Sequence, residues 1–300
     1  MKKFIVLVAA VCMAYTATFA QTVKPFKEGE RAVFLGNSIT DGGHYHSYIW
    51  LYYMTRFPNM PIRIFNGGIG GDTAFDMNKR LDADIFAMQP SVLMVTFGMN
   101  DSGYFEYNGD KAKEFGEEKY QESIKNYQQM EKRFKELPKT RIVMLGTSPY
   151  DETVQLKEGN LFKTKNETIK RIVEYQKESA AKNGWEFSDL NAPMVALNQQ
   201  FQQKDPAFTL CGSDRIHPDN DGHMVMAYLF LKAQGFVGKD VANMEINANK
   251  KEAVKAENCT VSNIKKIGNE LSFDYLAEAL PYPLDTIARG WGQKKSQAEV

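Results

Sequence analysis

Between residues 31 and 235 short apolar runs alternate with longer stretches of helical periodicity, and this alternation restricts the chain to few folds. Strand, helix and strand in succession is the signature of βαβ units, which lay consecutive strands parallel in one sheet. The expected strands are 32–35, 62–66, 92–97, 142–146 and a short 185–188. Several are apolar almost throughout, as strands covered by helices on both faces must be. Tyr120, Ile124, Tyr127, Glu131 and Phe134 form one helical stripe, stopped by Leu137-Pro138. Ile169, Ile172, Val173, Gln176 and Ala180 form another, ended by Asn183-Gly184. A last helix is expected to open at Pro218 and to bury Met224, Ala227, Tyr228 and Leu231.

After Gly235 the pattern changes. Residues 261–267 and 270–276 alternate in polarity around Gly268-Asn269, which predicts a β-hairpin. The chain thus divides into a main domain over 21–245 and a C-terminal β segment over 246–300, a small module or the start of one. Ahead of both, Met1-Lys2-Lys3, an apolar run from Phe4 to Ala14 and Ala17-Thr18-Phe19-Ala20 read as a signal peptide over 1–20. A secreted or periplasmic mature chain follows from that reading. No later run reaches the roughly 18 apolar residues of a membrane span, so stable membrane insertion of the mature chain is not expected.

Charge removes other classes. Lys plus Arg, at 37, equals Asp plus Glu, at 37, with no long basic run, so nucleic acid is not an expected partner. Three cysteines make no disulfide scaffold and have no zinc spacing. Cys12 leaves with the signal; Cys211 and Cys259 could pair in an oxidising compartment, which their separation in sequence leaves open. Oligomeric state is not legible.

Four short segments, each after an expected strand or just before the last helix, carry the chemistry. In Gly36-Asn37-Ser38-Ile39-Thr40 a serine at a strand-to-helix turn exposes its hydroxyl, although a helix cap reads the same way. Gly67-Gly68-Ile69-Gly70-Gly71-Asp72-Thr73 lets a backbone N–H approach a substrate oxygen, or simply makes a tight turn. In Gly98-Met99-Asn100-Asp101 the Asn amide can donate to an oxyanion, with an Asx turn as the plainer reading. In Asp214-Arg215-Ile216-His217 a carboxylate three residues before a histidine can hold one ring nitrogen and leave the other to take a serine proton. A metal site from His44, His46, His217 and His223 has no supporting carboxylate spacing; His44 or His46 is read as pocket lining or helix-start surface.

Together, in this order, the four blocks resemble those of the SGNH (GDSL-like) hydrolase family over roughly residues 30–235. The resemblance implies a three-layer α/β/α, flavodoxin-like domain with a five-stranded parallel sheet and no cofactor or metal. It implies Ser38 as nucleophile, His217 as general base and acid, and Asp214 as the residue that orients the imidazole. The implied oxyanion hole is the Ser38 N–H, the Gly71 N–H and the Asn100 side chain. The family's first block reads Gly-Asp-Ser; here Asn37 takes the place of the aspartate and is a candidate substrate contact.

Tyr104 and Phe105 follow the Asn100 block in a loop expected to run to about residue 117, a wall for the substrate. With Tyr45, Tyr48 and Trp50 they could stack on a sugar ring or pack in the core. The expected substrate is an ester, first an O-acetylated saccharide, and second a lysophospholipid or a broad range of short-chain esters. Two other classes are weighed: a carbohydrate-binding protein on this fold that has lost activity, and a flavodoxin-like cofactor binder. The latter leaves Asn100 and the Asp-x-x-His block unexplained.

Overall fold

The computed structural model describes residues 22–157, 159–287 and 295–300, so the signal segment expected at 1–20 lies outside the described residues. Strands β1 (Arg31–Gly36), β2 (Arg63–Gly68), β3 (Val92–Val95), β4 (Arg141–Gly146) and β5 (Glu186–Asp189) form one sheet in the order β2-β1-β3-β4-β5. All its pairings are parallel. No strand boundary lies more than two residues from its expected place. The strand order reverses between β1 and β3, and the crevice outside the carboxyl ends at such a point is where open α/β sheets bind ligands.

Around the sheet lie α1 (Ser38–Asp41), α2 (His44–Arg56), α3 (Ala74–Arg80), α4 (Ala112–Lys135), α5 (Lys165–Asn183), α6 (Asn191–Gln202) and α7 (Asn220–Ala233). Ala32, Phe34, Val92, Met94, Val143 and Leu145 enter one core with Ile49 and Tyr53 of α2 and Met226 and Phe230 of α7. Their strand neighbours Val33, Leu35, Leu93, Val95, Ile142 and Met144 enter a second core with Met77, Tyr127, Met130, Phe134 and Ile172. The three inner strands therefore have no water-facing side, and this is why their sequences are apolar without alternation.

Two helices differ from the sequence expectation. Helix α7 opens at Asn220 rather than Pro218, and its core side chains are Val225, Met226, Ala227, Phe230 and Leu231. Tyr228, expected inside, is 48% exposed. Residues 224–231 are apolar all round, so no polar residue marked the outer face and packing against α2 set it instead. Helix α4 starts at Ala112, well before residue 117, and Phe105–Asn108 forms a 3₁₀ turn, so the loop after β3 is shorter than expected. Gly116 lies inside the helix. Glu131, the one polar residue of the α4 stripe, is buried and accepts from Asn183 Nδ2 (2.5 Å), Lys135 Nζ (3.2 Å) and Ser179 Oγ (3.3 Å), tying α4 to the end of α5.

Asp221, in the first turn of α7, is buried; its Oδ1 accepts the Gly222 N–H and its Oδ2 has no partner among the described residues. Burial, with the Asp219 charge adding to it, pushes this carboxyl up to about 6 from 3.8. The folded state thus holds the proton over a window in which the unfolded state has released it, and stability falls as pH rises from about 4 to about 6. Asp221→Asn is expected to stabilise by about 1–2 kcal/mol above that window and by nothing below it. Thermal melts at both ends of the pH range check this.

The hairpin expected around Gly268 is β8 (Cys259–Ile267) with β9 (Glu270–Ala277). A second antiparallel pair precedes it, β6 (Asn243–Asn247) with β7 (Glu252–Glu257), whose largely polar residues carried no clear strand signal. Cys211 and Cys259 are not paired. Cys211 is buried in the main domain, where its Sγ donates to the Pro149 carbonyl, and Cys259 starts β8.

Candidate active site

The chain leaves β1 at Gly36 and turns at once into α1. Asn37 has extended backbone, and its Oδ1 accepts the Ile39 N–H at 3.1 Å, so it is the cap that makes Ser38 the first helical residue. It is 1% exposed, which places it within the turn rather than on the substrate face as expected. The turn packs tightly on β2. Asn66 donates to the Asp41 carbonyl at 2.9 Å, and a Cβ at Gly68 would lie 2.3 Å from the Asp41 nitrogen, so only glycine fits there.

Across the crevice, Ser38 Oγ lies 2.8 Å from His217 Nε2, and His217 Nδ1 lies 2.6 Å from Asp214 Oδ2. The other carboxylate oxygen accepts the backbone N–H groups of Ile216 and His217, each at 2.9 Å. Burial pushes the Asp214 carboxyl up, but the His217 ring and these N–H donors outweigh it and hold the group below the usual carboxylate range. The four-residue segment is anchored from beneath. Arg215 has a left-handed backbone (φ 70°), uncommon without glycine, and its buried guanidinium donates to the Asp151 and Val154 carbonyls at 3.1 and 2.7 Å.

Gly212 bounds the same segment at φ 68°, and a Cβ there would lie 2.2 Å from the His217 carbonyl oxygen. Gly212→Ala must displace the His217 backbone. It is expected to lower kcat about 100-fold, the usual cost of misplacing a reacting group by about an ångström, and to cost about 1–3 kcal/mol of stability. Steady-state rates and melting of one preparation check both.

The third group of residues is built around Asn100. Its Nδ2 donates to the Asp72 carbonyl at 2.9 Å, and its Oδ1 accepts the Tyr104 hydroxyl at 2.5 Å, so the amide has one orientation, and among the described residues its second Nδ2 hydrogen has no acceptor. A Cβ built on Gly70 would lie 4.0 Å from the Ser38 Cβ, which brings the 69–72 turn against the serine. The N–H groups of Ser38 and Gly71 donate to no group among the described residues. One serine hydroxyl, one oriented imidazole and N–H donors nearby can carry out acyl transfer through a tetrahedral oxyanion.

Three supporting residues have roles that the sequence does not assign. Arg80 donates from Nε to Asp72 Oδ2 (2.6 Å) and from Nη2 to the Gly67 (2.8 Å) and Gly36 (3.2 Å) carbonyls, pinning the ends of β1 and β2 to the 69–72 turn. Asp101 is buried and accepts from the Ala74 and Gly98 N–H groups and Ser123 Oγ, bracing the Asn100 turn; burial pushes its carboxyl up. Lys165 is buried under the same turn, and burial pushes its ammonium down to about 7 against the charges of Asp101 and Glu152. Asp101 stands in the Asn100 block; no local signal marks Arg80 or Lys165.

The sequence model of the GDSL-like lipase/acylhydrolase family matches residues 34–225. The chain belongs to this family of SGNH carboxylic ester hydrolases. Its GDSL-like domain is similar to an acetylxylan esterase of Geobacillus stearothermophilus, 27% identical in an alignment 224 residues long that covers 69% of this chain and 95% of that one. A solved structure of an acetylxylan esterase from the same organism shares the fold, with a TM-score of 0.56, 24% identity and coverage of 72% of this chain and 97% of that one. A solved gut microbial diltiazem-metabolizing enzyme is 85% identical, with a TM-score of 0.88 over 94% of this chain. The chain spans 64% of that protein's length.

Other expected rim residues of the GDSL-like domain divide between surface and core. Phe105 is 67% exposed and edge-on to Phe162, whereas Tyr104 is turned to Asn100. Tyr45 is buried with its hydroxyl 2.9 Å from Thr40 Oγ1, so it packs and does not stack on a ligand; Trp50 is exposed. His44 is exposed at the start of α2. His46, expected at the pocket or surface, is buried against Phe34 with Nε2 3.2 Å from the Thr40 carbonyl, and burial lowers its pKa. His223 is buried and stacked on Tyr45, and burial pushes it down to about 3, so it stays neutral near pH 7.

Proposed function

We propose that this chain is a serine acetylesterase acting outside the cytoplasm on O-acetylated carbohydrate. The observation that carries the reading is the continuous hydrogen-bonded line from Ser38 through His217 to Asp214, at 2.8 and 2.6 Å, beside the oriented amide of Asn100. His217 Nε2 takes the Ser38 proton as Oγ attacks the ester carbonyl. The oxyanion is held by the N–H groups of Ser38 and Gly71 and by Asn100 Nδ2. The tetrahedral intermediate collapses, His217 returns the proton to the departing alkoxide, and acetyl stays on Ser38. Water, deprotonated by His217, then releases acetate. Asp214 stays ionised and stabilises the imidazolium.

The acetylxylan esterase relative supports an acetylated saccharide as substrate. A second reading, a broad range of short-chain esters, is favoured by the relative described as diltiazem-metabolizing, which acts on a substrate that is not a saccharide. The basic, apolar and small-residue order of residues 1–20 supports export.

A fluorophosphonate probe followed by peptide mass mapping should put one adduct on Ser38. Hydrolysis should then be compared on acetylated xylo-oligosaccharides and diltiazem, read as released acetate, and on lysophosphatidylcholine, read as released fatty acid. Folded protein with neither adduct nor release of acetate or fatty acid would overturn the esterase reading, and preference for the lysophospholipid would replace the substrate.

A further inference from the structure

Lys165 is the first residue of α5, the end of a helix at which a positive charge is disfavoured, and its residue exposure is 0%. Among the described residues no carboxylate pairs with it, and a buried ammonium is tolerated only where its donors are satisfied. All three donors go to one short segment: the Met99 carbonyl at 2.7 Å, Ser102 Oγ at 2.6 Å and the Gly103 carbonyl at 2.5 Å. That segment is the turn after β3, and Asn100 stands within it. The same Nζ lies 3.9 Å from the centroid of the Tyr104 ring, whose hydroxyl donates to Asn100 Oδ1. A cation on the face of a phenol draws electron density from the ring and makes its O–H a stronger donor. One ammonium therefore holds the backbone that carries Asn100 and also the ring that orients the Asn100 amide.

We propose that Lys165 is a positioning residue for ester hydrolysis: through the 99–103 turn and Tyr104 it holds the free Nδ2 hydrogen of Asn100 where the oxyanion forms. This rests on the reading of Asn100 as an oxyanion donor. A lysine that only filled the core would change the melting temperature of the protein and leave the rate of the folded enzyme alone. A lysine acting through Asn100 would change kcat, and would do so only while Asn100 is present.

The experiment is a double-mutant cycle on the full chain with p-nitrophenyl acetate, using Lys165→Met, Asn100→Ala and the double variant, each checked by circular dichroism and melting. Asn100→Ala alone should lower kcat by at least about 100-fold. Lys165→Met should lower kcat about 10-fold or more with KM nearly unchanged, and should add less than about threefold in the Asn100→Ala background. Tyr104→Phe, which keeps the Lys165 hydrogen bonds and removes only the hydroxyl, should also lower kcat and also lose its effect without Asn100. It decides the matter if Lys165→Met does not fold. Equal effects of Lys165→Met with and without Asn100, or unchanged kcat in folded Lys165→Met or Tyr104→Phe, would overturn the positioning role. If Asn100→Ala itself retains full kcat, the oxyanion reading fails first and takes the inference with it.

Discussion

Ser38→Ala is expected to leave the fold intact and to lower kcat on acetyl esters by about a million-fold. Among the described residues the hydroxyl bonds only to His217 Nε2, at the mouth of the crevice, and the capping of α1 comes from Asn37, not from Ser38. Removing it therefore takes away no core contact and no cap, and the stability change should stay within about 0.5 kcal/mol. The expected residual rate comes from the donors that remain. In such sites an oxyanion hole and substrate binding alone still exceed water by about a thousandfold or more. Turnover and melting of highly purified variant test this, with probe labelling as a third readout. Turnover near that of the parent, in protein free of parent enzyme, would remove Ser38 from the mechanism.

Asp214→Asn should cost about ten-thousandfold in kcat with little change in KM. The amide is nearly isosteric, and its oxygen can still accept the Ile216 and His217 N–H groups that shape the turn. What changes is the group facing His217 Nδ1. A carboxylate accepts a hydrogen bond there, so the ring carries its hydrogen on Nδ1 and leaves Nε2 free for Ser38. An amide N–H facing Nδ1 forces the other tautomer, with Nε2 protonated and unable to act as base. The variant also loses the charge that stabilises the imidazolium. The Asp214 carboxyl is held below its unfolded value of 3.8, so the stabilisation it contributes is complete above that value and is lost as pH falls through the lower folded one. Asp214→Asn should lack that acid-side loss. A pH series of melts separates this effect from the rate effect.

Much of the candidate site was legible because its signals are local. Gly-Asn-Ser, Gly-x-Asn-Asp and Asp-x-x-His are turns of a few residues, and a turn's backbone dictates its residue types wherever it sits in the fold. Asn37 was misplaced for the same reason seen from the other side. A residue type suited both to capping and to substrate contact does not declare its direction, and only the packed turn shows its side chain bonded to the Ile39 N–H. Tyr104 reads as a rim aromatic in sequence and holds Asn100 in the structure.

By itself the sequence determined the α/β class, the five strand positions and the four segments that carry chemistry. It could do so because apolar runs, helical periods and turn residues are set by interactions within a few positions of one another. Only the tertiary structure decided which face of α7 is buried, that Cys211 and Cys259 stay apart, and that Lys165 and Arg80 brace the residues around Ser38. Those facts depend on sheet order. Lys165 meets its acceptors across 62 to 66 positions because β3 and β4 are neighbours, and Ser38 meets His217 across 179. A partner that far along the chain leaves no periodic trace near the residue it holds.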